Sequence, residues 1–139
     1  MWTLVIISHF LMLISFIMLS ISALNGHFIL VNQEITISSF SITSIMIFVF
    51  TQSLIFFLII TINKNMNSII MENNFNITND IYKYYKKKMH IHTSSNILLI
   101  STLAILFGAV HTGLMSQNIH NLLFIFGVIH YGYVIKIQY

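Results

Sequence analysis

Phe107–Gly113 reads FGAVHTG and Phe126–Gly132 reads FGVIHYG, so the end of the chain contains one pattern twice. Each copy places a histidine in an apolar run, with one glycine three residues before it and another two residues after it. A histidine in hydrocarbon is costly unless a partner binds it, and glycine lets a bulky partner approach the helix. The repeat therefore predicts two membrane helices that each carry a candidate ligand-binding histidine.

The composition is that of an integral membrane protein. Of 139 residues, 57% are hydrophobic and 6% are charged, and the mean hydropathy is +0.88, whereas about 25% of the residues of a soluble domain are charged. A helix needs about 20 apolar residues to cross a membrane, so the chain has room for four spans and no further domain. We expect an all-α integral membrane protein that forms an antiparallel bundle of four transmembrane helices, a single domain over residues 1–139.

The apolar runs of the sequence place the four predicted spans. They cover residues 2–24, 35–62, 96–115 and 119–135. Asn25–Gly26 is a typical helix stop after the first span, and the polar segment 63–94 is predicted to form a basic loop between the second and third spans. An alternative second span begins near Phe28 and carries Glu34 into the membrane.

The lysines predict the orientation in the membrane. Lys64, four lysines within residues 83–88, and Lys136 all fall on one side of the predicted bundle. Loops on the cytoplasmic or matrix side carry the excess of basic residues, so both termini and the basic loop are predicted on the inner side. The lysines of the loop also suit the head groups of anionic phospholipids. These predicted lipid-binding residues are Lys83, Lys86, Lys87 and Lys88.

Several classes of function are disfavoured by what the chain lacks. It has no cysteine, so it can hold no disulfide, no thiolate metal site and no thioether-linked haem. It has six basic residues, too few for a nucleic-acid-binding protein. No carboxylate is placed to orient His111 beside Thr112 or Ser116, which argues against a hydrolytic centre. We do not expect the chain to catalyse a reaction alone.

The residue usage points to a genome rich in A and T. Ile, Asn, Phe, Lys and Met are abundant and proline is absent. Such bias is typical of mitochondrial and reduced bacterial genomes, and small hydrophobic proteins retained in organelle genomes are mostly subunits of energy-transducing complexes. The predicted location is therefore the mitochondrial or bacterial inner membrane, and the predicted partners are other membrane subunits of one complex.

Depth in the membrane separates the histidines into two layers. A helix rises about 1.5 Å per residue, and by this count His9 and His130 each lie about seven residues from the inner ends of their spans. His111, His120 and His27 lie near the outer ends. The two histidines of the repeat therefore belong to different layers, because their helices run in opposite directions.

A b-type haem needs two axial imidazoles from different helices at one depth, with small residues facing the porphyrin. His9 and His130 meet the depth condition and are the predicted iron ligands, with Gly127 nearby. In the outer layer, His111 with either His27 or His120 meets the same depth condition, with Gly108 nearby. In helix number and histidine depth the chain resembles the four-helix membrane cytochromes and the haem-bearing anchors of respiratory dehydrogenases. The resemblance implies electron transfer together with a partner subunit.

Other roles for the histidines are left open by the sequence. A buried imidazole also holds membrane helices together by bonding a hydroxyl or carbonyl group of a neighbour, and adjacent glycines then allow close packing. Proton relays and quinone sites use histidines as well. In the outer layer, His27, His111, His120 and Met115 could form a copper or zinc cluster, because imidazole and thioether groups suit copper.

The sequence therefore predicts a small hydrophobic subunit of a respiratory or other energy-transducing complex, which coordinates haem b or lines a quinone site. The alternative is a cofactor-free structural or proton-path subunit, like the small hydrophobic subunits of complex I. Glu34 discriminates between them, since a proton path needs it within the bilayer beside other protonatable groups. An independent channel is disfavoured, because the spans carry almost no charge with which to select ions.

Overall fold

The computed structural model describes residues 2–26, 28–31, 34–73 and 79–138. His27, predicted to belong to the outer layer, lies outside the described residues. Within the described ranges the chain forms five helices and one antiparallel pair of strands. The elements are α1 (Trp2–Asn25), β1 (Phe28–Val31), β2 (Glu34–Ile37), α2 (Ser39–Asn73), α3 (Asn79–Ile105), α4 (Phe107–His111) and α5 (Gln117–Gln138).

Four helical segments are long and apolar enough to cross a membrane, which confirms that part of the sequence prediction. They are Thr3–Asn25, Ser39–Ile62, Tyr82–His111 and Gln117–Gln138. Large apolar side chains lie exposed along these segments, for example Phe10, Met46, Leu98 and Leu122. Such surfaces suit contact with lipid or with other membrane subunits, and they support an integral membrane protein.

Gly26 follows the end of α1, as the sequence predicts. Its φ of +76° lies in the left-handed region, which glycine adopts at no steric cost. The position directly after Asn25 is the one at which such a residue terminates a helix. The observed helix and the span predicted at residues 2–24 agree within one residue.

A short hairpin separates α1 from α2, and the predicted start of the second span near Ile35 is wrong. β1 and β2 pair antiparallel, with Phe28 opposite Ile37 and Val31 opposite Glu34. The runs FILV and EITI are rich in β-branched and large apolar residues, which favour strands. The helix begins only at Ser39, so Glu34 lies in β2 and outside the four candidate spans.

The prediction that residues 63–94 form a loop is also wrong for most of this segment. α2 continues to Asn73 and α3 begins at Asn79. The segment contains neither proline nor glycine, the two residues that break helices most strongly. Polarity therefore ends the membrane span near Ile62 without ending the helix. The lysines of residues 83–88 lie on a helix, where they have defined faces.

The third candidate span contains a break in the helix at Leu106, near its end. α3 ends at Ile105, and α4 continues for five residues. Gly113, with a φ of +74°, then turns the chain, and the amide of Met115 donates to the carbonyl of Ala109. α5 begins at Gln117, two residues before the predicted start of the fourth span, and it ends three residues beyond the predicted end.

The long helices pack around a shared core. α1 contacts α2 and α5, and α3 also contacts α2 and α5. The largest fully buried apolar side chains come from all of these helices: Leu19, Phe48, Ile100, Phe124 and Val134. α3 and α5 run in opposite directions, because Thr93 bonds Gln138 near one end and Leu103 bonds His120 near the other.

Candidate functional site

His9 lies half-buried on α1 and lines a cavity between α1 and α5. The cavity has a volume of about 430 Å³. Its lining residues are His9, Met12, Leu13, Phe16, Gly132 and Ile135. His9 Nδ1 lies 2.7 Å from the carbonyl oxygen of Val5, an acceptor, so Nδ1 carries the proton and donates. The neutral ring therefore has its lone pair at Nε2.

His130 lies half-buried on α5 and contacts α3. Its Nδ1 is 3.1 Å from Nδ2 of Asn96, and the same Nδ2 lies 3.2 Å from the carbonyl oxygen of Gly127. Because that carbonyl can only accept, it fixes the Asn96 amide with its NH₂ group toward His130. His130 Nδ1 is then the acceptor, and the neutral ring carries its proton on Nε2.

The structure places His9 and His130 in different surroundings. His9 lines the α1–α5 cavity together with Gly132, whereas the described partners of His130 include Asn96 and His92 on α3. On a helix with about 100° between residues, Gly132 lies about 200° around α5 from His130. A metal-bound imidazole uses a deprotonated nitrogen, and the tautomer set by Asn96 places the proton of His130 on Nε2. Haem ligation by this pair stays a prediction that these contacts do not support.

The outer-layer histidines have unlike environments. His120 is fully buried, and its Nε2 donates to the carbonyl oxygen of Leu103 at 2.8 Å. It also packs against Phe107, with ring centroids 4.9 Å apart. His111 is exposed at the end of α4. Among the residues that the structure describes, no group of three or more His, Asp or Glu side chains could hold a metal ion.

His120 satisfies a helix end. The last carbonyl groups of a helix have no partner within it, and Leu103 lies in the last turn of α3. The imidazole of His120 supplies a donor from α5, so this histidine joins two helices across the turn. That is the helix-packing role that the sequence left open for buried histidines.

Gly127 and Gly108, the two glycines predicted to face a porphyrin, differ in the space beside them. A Cβ atom at Gly127 would lie 2.6 Å from Leu99 Cδ2 and 2.8 Å from Ile100 Cδ1, so α3 occupies the space that the glycine leaves. A Cβ atom at Gly108 would meet nothing within 4 Å. Gly127 therefore permits close packing of α3 on α5, and Gly108 has no such neighbour.

A buried polar network at the centre of the helices was not predicted from the sequence. The hydroxyl of Tyr131 lies 2.7 Å from Ser15 Oγ on α1, and it accepts from Gln52 Nε2 on α2 at 3.0 Å. Gln138 Nε2 donates to Gln52 Oε1 at 3.2 Å and to Thr93 Oγ1 of α3 at 2.8 Å. These five residues, which we call the Tyr131 network, connect all four long helices.

The signal for this network is visible in the sequence. Gln52 is the only side-chain amide within the apolar stretch 39–62, and a polar residue within a span usually faces another helix. Tyr131 lies inside the second copy of the repeat, directly after His130. The sequence does not show which residues meet, because that depends on how each helix is rotated.

A second polar region lies where α3 faces the end of α5. Tyr84, Lys87, Lys88, Ile91 and His92 line a cleft of about 340 Å³. Two further rings adjoin it on α5: His92 lies 5.8 Å from His130 and 5.2 Å from Tyr133, measured between ring centroids. Lys88 Nζ lies 5.9 Å from the centre of the Tyr133 ring. Of the four predicted lipid-binding lysines, the structure places two in this cleft.

The chain was compared with protein-family models, with curated proteins and with solved structures. None of the three comparisons gives a match.

Proposed function

We propose that the chain is a non-catalytic membrane subunit of a larger energy-transducing complex, and that its cavity between α1 and α5 lines a quinone site. The observation that carries the proposal is the cavity itself, an apolar space of about 430 Å³ with one imidazole in its wall. Small-molecule sites in proteins are typically apolar clefts of about 300–1,000 Å³ with a few polar groups that fix orientation. The four apolar spans supply the membrane setting that a lipid-soluble ligand needs.

A quinone head group matches this wall chemically. Its ring is apolar, and its two oxygens accept hydrogen bonds as carbonyls or donate them as hydroxyls after reduction. His9 donates from Nδ1 to the carbonyl oxygen of Val5, and its imidazole is the polar group in the wall of the cavity. Gly132 and Phe16 line the same cavity and supply apolar surface for the quinone ring.

The orientation that goes with this proposal has both termini on the inner side and the spans antiparallel. Lys64 follows the apolar part of α2, the lysines of residues 83–88 precede or begin the apolar part of α3, and Lys136 lies in the last turn of α5. These positions put every lysine at one end of the helices, which supports an inner face toward the matrix or cytoplasm.

Binding of decylubiquinone to the protein in nanodiscs, followed by calorimetry, tests the quinone site. We expect His9→Leu to weaken binding about threefold to tenfold, because one hydrogen bond is lost. Gly132→Leu should weaken it more than tenfold, because the new side chain would fill the cavity. A Cβ atom at Gly132 makes only ordinary contact with Phe16, at 3.5 Å, so Gly132→Ala is the matched control that should retain binding.

His111→Ala is a second control, since this histidine is exposed and does not line the cavity. Failure of the unmodified protein to bind the quinone, or equal binding by the unmodified protein, His9→Leu and Gly132→Leu, would reject the quinone site. Neither result would affect the membrane-subunit part of the proposal, which rests on the spans and the composition.

The cofactor-free structural subunit is the second candidate, and the Tyr131 network favours it. The network joins four helices through buried hydroxyl and amide groups. Amide groups neither gain nor lose a proton readily, so Gln52 and Gln138 suit helix packing better than proton transfer. Glu34, which a proton path needs within the bilayer, lies in the β-hairpin. The structural form of this alternative therefore has more support than the proton-path form.

Haem ligation has its own direct measurement. A complex in which His130 holds haem b would show a Soret band that disappears in His130→Ala. A Soret band that persists in His130→Ala and in His9→Ala would assign the haem to other residues or to another subunit.

A further inference from the structure

Two of the four lysines of α3 line a cleft. Tyr84, Lys87, Lys88, Ile91 and His92 follow one another at intervals of one and three residues, which places them along one side of the helix. Lys86 and Lys88 are two residues apart, so their side chains point about 160° away from each other around the helix. The Nζ atom of Lys86 is 6.0 Å from the centre of the Tyr82 ring. Lys83 lies one turn before Lys87 on the same side of the helix, so Lys87 and Lys88 are distinguished by lining the cleft and not by a separate helix face.

The cleft concentrates positive charge on a part of the chain that carries no carboxylate side chain after Asp80. No Asp or Glu occurs after Asp80, so α5 and the rest of α3 contain no carboxylate side chain. Asp80 precedes Lys87 by seven residues, about 10 Å along the helix. Lys87 is exposed, whereas Lys88 and His92 are half-buried, so an anion held between them would be partly shielded from water.

Aromatic groups define the wall of the cleft on the side of α5. Lys88 Nζ lies 5.9 Å from the Tyr133 ring, within range of a cation–π interaction that holds the ammonium group in place. The His92 ring meets the same tyrosine edge-on at 5.2 Å. Tyr133 of α5 thus adjoins both Lys88 and His92 of α3.

The cleft also lies at the end of an apolar span. The candidate span of α3 begins at Tyr82, and exposed Ile91 and Leu98 continue along the helix beyond the lysines. A phosphate group in the cleft would therefore have acyl chains beside an apolar surface. A phospholipid at the membrane interface has this arrangement, with a charged phosphate group next to apolar acyl chains.

We infer that Lys87, Lys88 and His92 bind the phosphate group of an anionic phospholipid, with Tyr133 holding Lys88 in place. The proposal adds His92 and Tyr133 to the lipid site and separates Lys87 and Lys88 from Lys83 and Lys86. It is independent of the quinone site, because the cleft and the cavity have no lining residue in common.

Native mass spectrometry of the protein in a neutral detergent, with phosphatidylglycerol or phosphatidylcholine added, tests this site. We expect retention of phosphatidylglycerol by the unmodified protein and about 30-fold weaker retention by the double variant Lys87→Gln/Lys88→Gln, from the usual contribution of two cations. Lys64→Gln/Lys86→Gln removes the same charge from lysines that do not line the cleft and should change retention by no more than about threefold, because distant exposed charges are screened. Tyr133→Leu should weaken retention as well, without any change of charge.

Three results would overturn the inference. Equal losses in the two double variants would mean a diffuse charge effect, and equal retention of phosphatidylcholine would mean that the acyl chains alone are recognised. Displacement of the lipid by an equimolar amount of inorganic phosphate would mean a site for the free ion. Lys87→Arg/Lys88→Arg keeps the charge and should retain binding, and an unchanged helical circular dichroism spectrum of the glutamine double variant excludes misfolding as the cause of its loss.

Discussion

Tyr131→Ala is expected to lower the free energy of unfolding by about 3–5 kcal/mol, the range found when a large aromatic residue is removed from a packed core. Tyr131 is fully buried and packs edge-on against Phe48 and Phe16, with ring centroids 4.9 and 5.9 Å apart. Its hydroxyl joins Ser15 of α1 to Gln52 of α2. The substitution therefore removes ring contacts and hydrogen bonds together. Unfolding in mixed micelles, followed by helical circular dichroism, measures the loss.

Tyr131→Phe separates the two contributions. It keeps the ring and removes the hydroxyl, so we expect a loss of about 1–2 kcal/mol from the hydrogen bonds alone. Tyr133→Ala is the matched control, because Tyr133 is two residues away and 43% exposed; it should cost about 1 kcal/mol or less. If Tyr131→Ala destabilises the protein no more than Tyr133→Ala, the Tyr131 network does not hold the helices together.

The sequence predicted the number of membrane-spanning helices well, because an apolar run of about 20 residues is a strong signal. It also predicted the end of α1, where Asn25 and Gly26 give a local stop signal. The number of spans follows from composition, and the end of α1 follows from two residues. Neither prediction requires knowledge of which helix faces contact each other.

The failures concern segments in which two structures compete. The apolar run after Gly26 fits a strand or the beginning of a helix, since a short apolar run does not separate the two. The chain forms the hairpin of β1 and β2 there. In segment 63–94 the polarity indicates a loop, but the segment contains no proline or glycine to break a helix.

The candidate site could not be predicted from histidine depth alone. Depth paired His9 with His130, but the rotation of α5 turns His130 toward Asn96 and leaves Gly132 beside His9. Apolar residues cover much of each span, so the inward face carries little distinct pattern. The polar residues inside the spans, above all Gln52 and Asn96, carried the usable information about which faces lie inside.

The repeat shows most clearly how packing separates residues with the same sequence context. Gly127 and Gly108 each follow a phenylalanine and precede a histidine by three residues. Gly127 lies against Leu99 and Ile100 of α3, whereas Gly108 has open space beside it. The same substitution at the two positions should therefore have unequal effects.

Gly127→Val is expected to lower the free energy of unfolding by about 1–3 kcal/mol, the usual cost of overpacking. Its Cβ would lie 2.6 Å from Leu99 Cδ2 and 2.8 Å from Ile100 Cδ1, and valine adds two further methyl groups. The side chains of Leu99 and Ile100 would have to move, or α3 and α5 would have to separate, which would stretch the bond of 3.2 Å from Asn96 Nδ2 to the carbonyl of Gly127. Unfolding in mixed micelles measures this change as well.

Gly108→Val is the matched control from the other copy of the repeat, and it should change the free energy of unfolding by about 0.5 kcal/mol or less. Gly127→Ala should fall between the two, since the atoms it meets are the ends of flexible side chains. An equal effect of valine at both positions would show that Gly127 does not set the distance between α3 and α5. A larger loss of stability for Gly127→Val than for Gly108→Val would assign the loss to the contact between α3 and α5, because only the change at Gly127 alters the surroundings of Asn96 and His130.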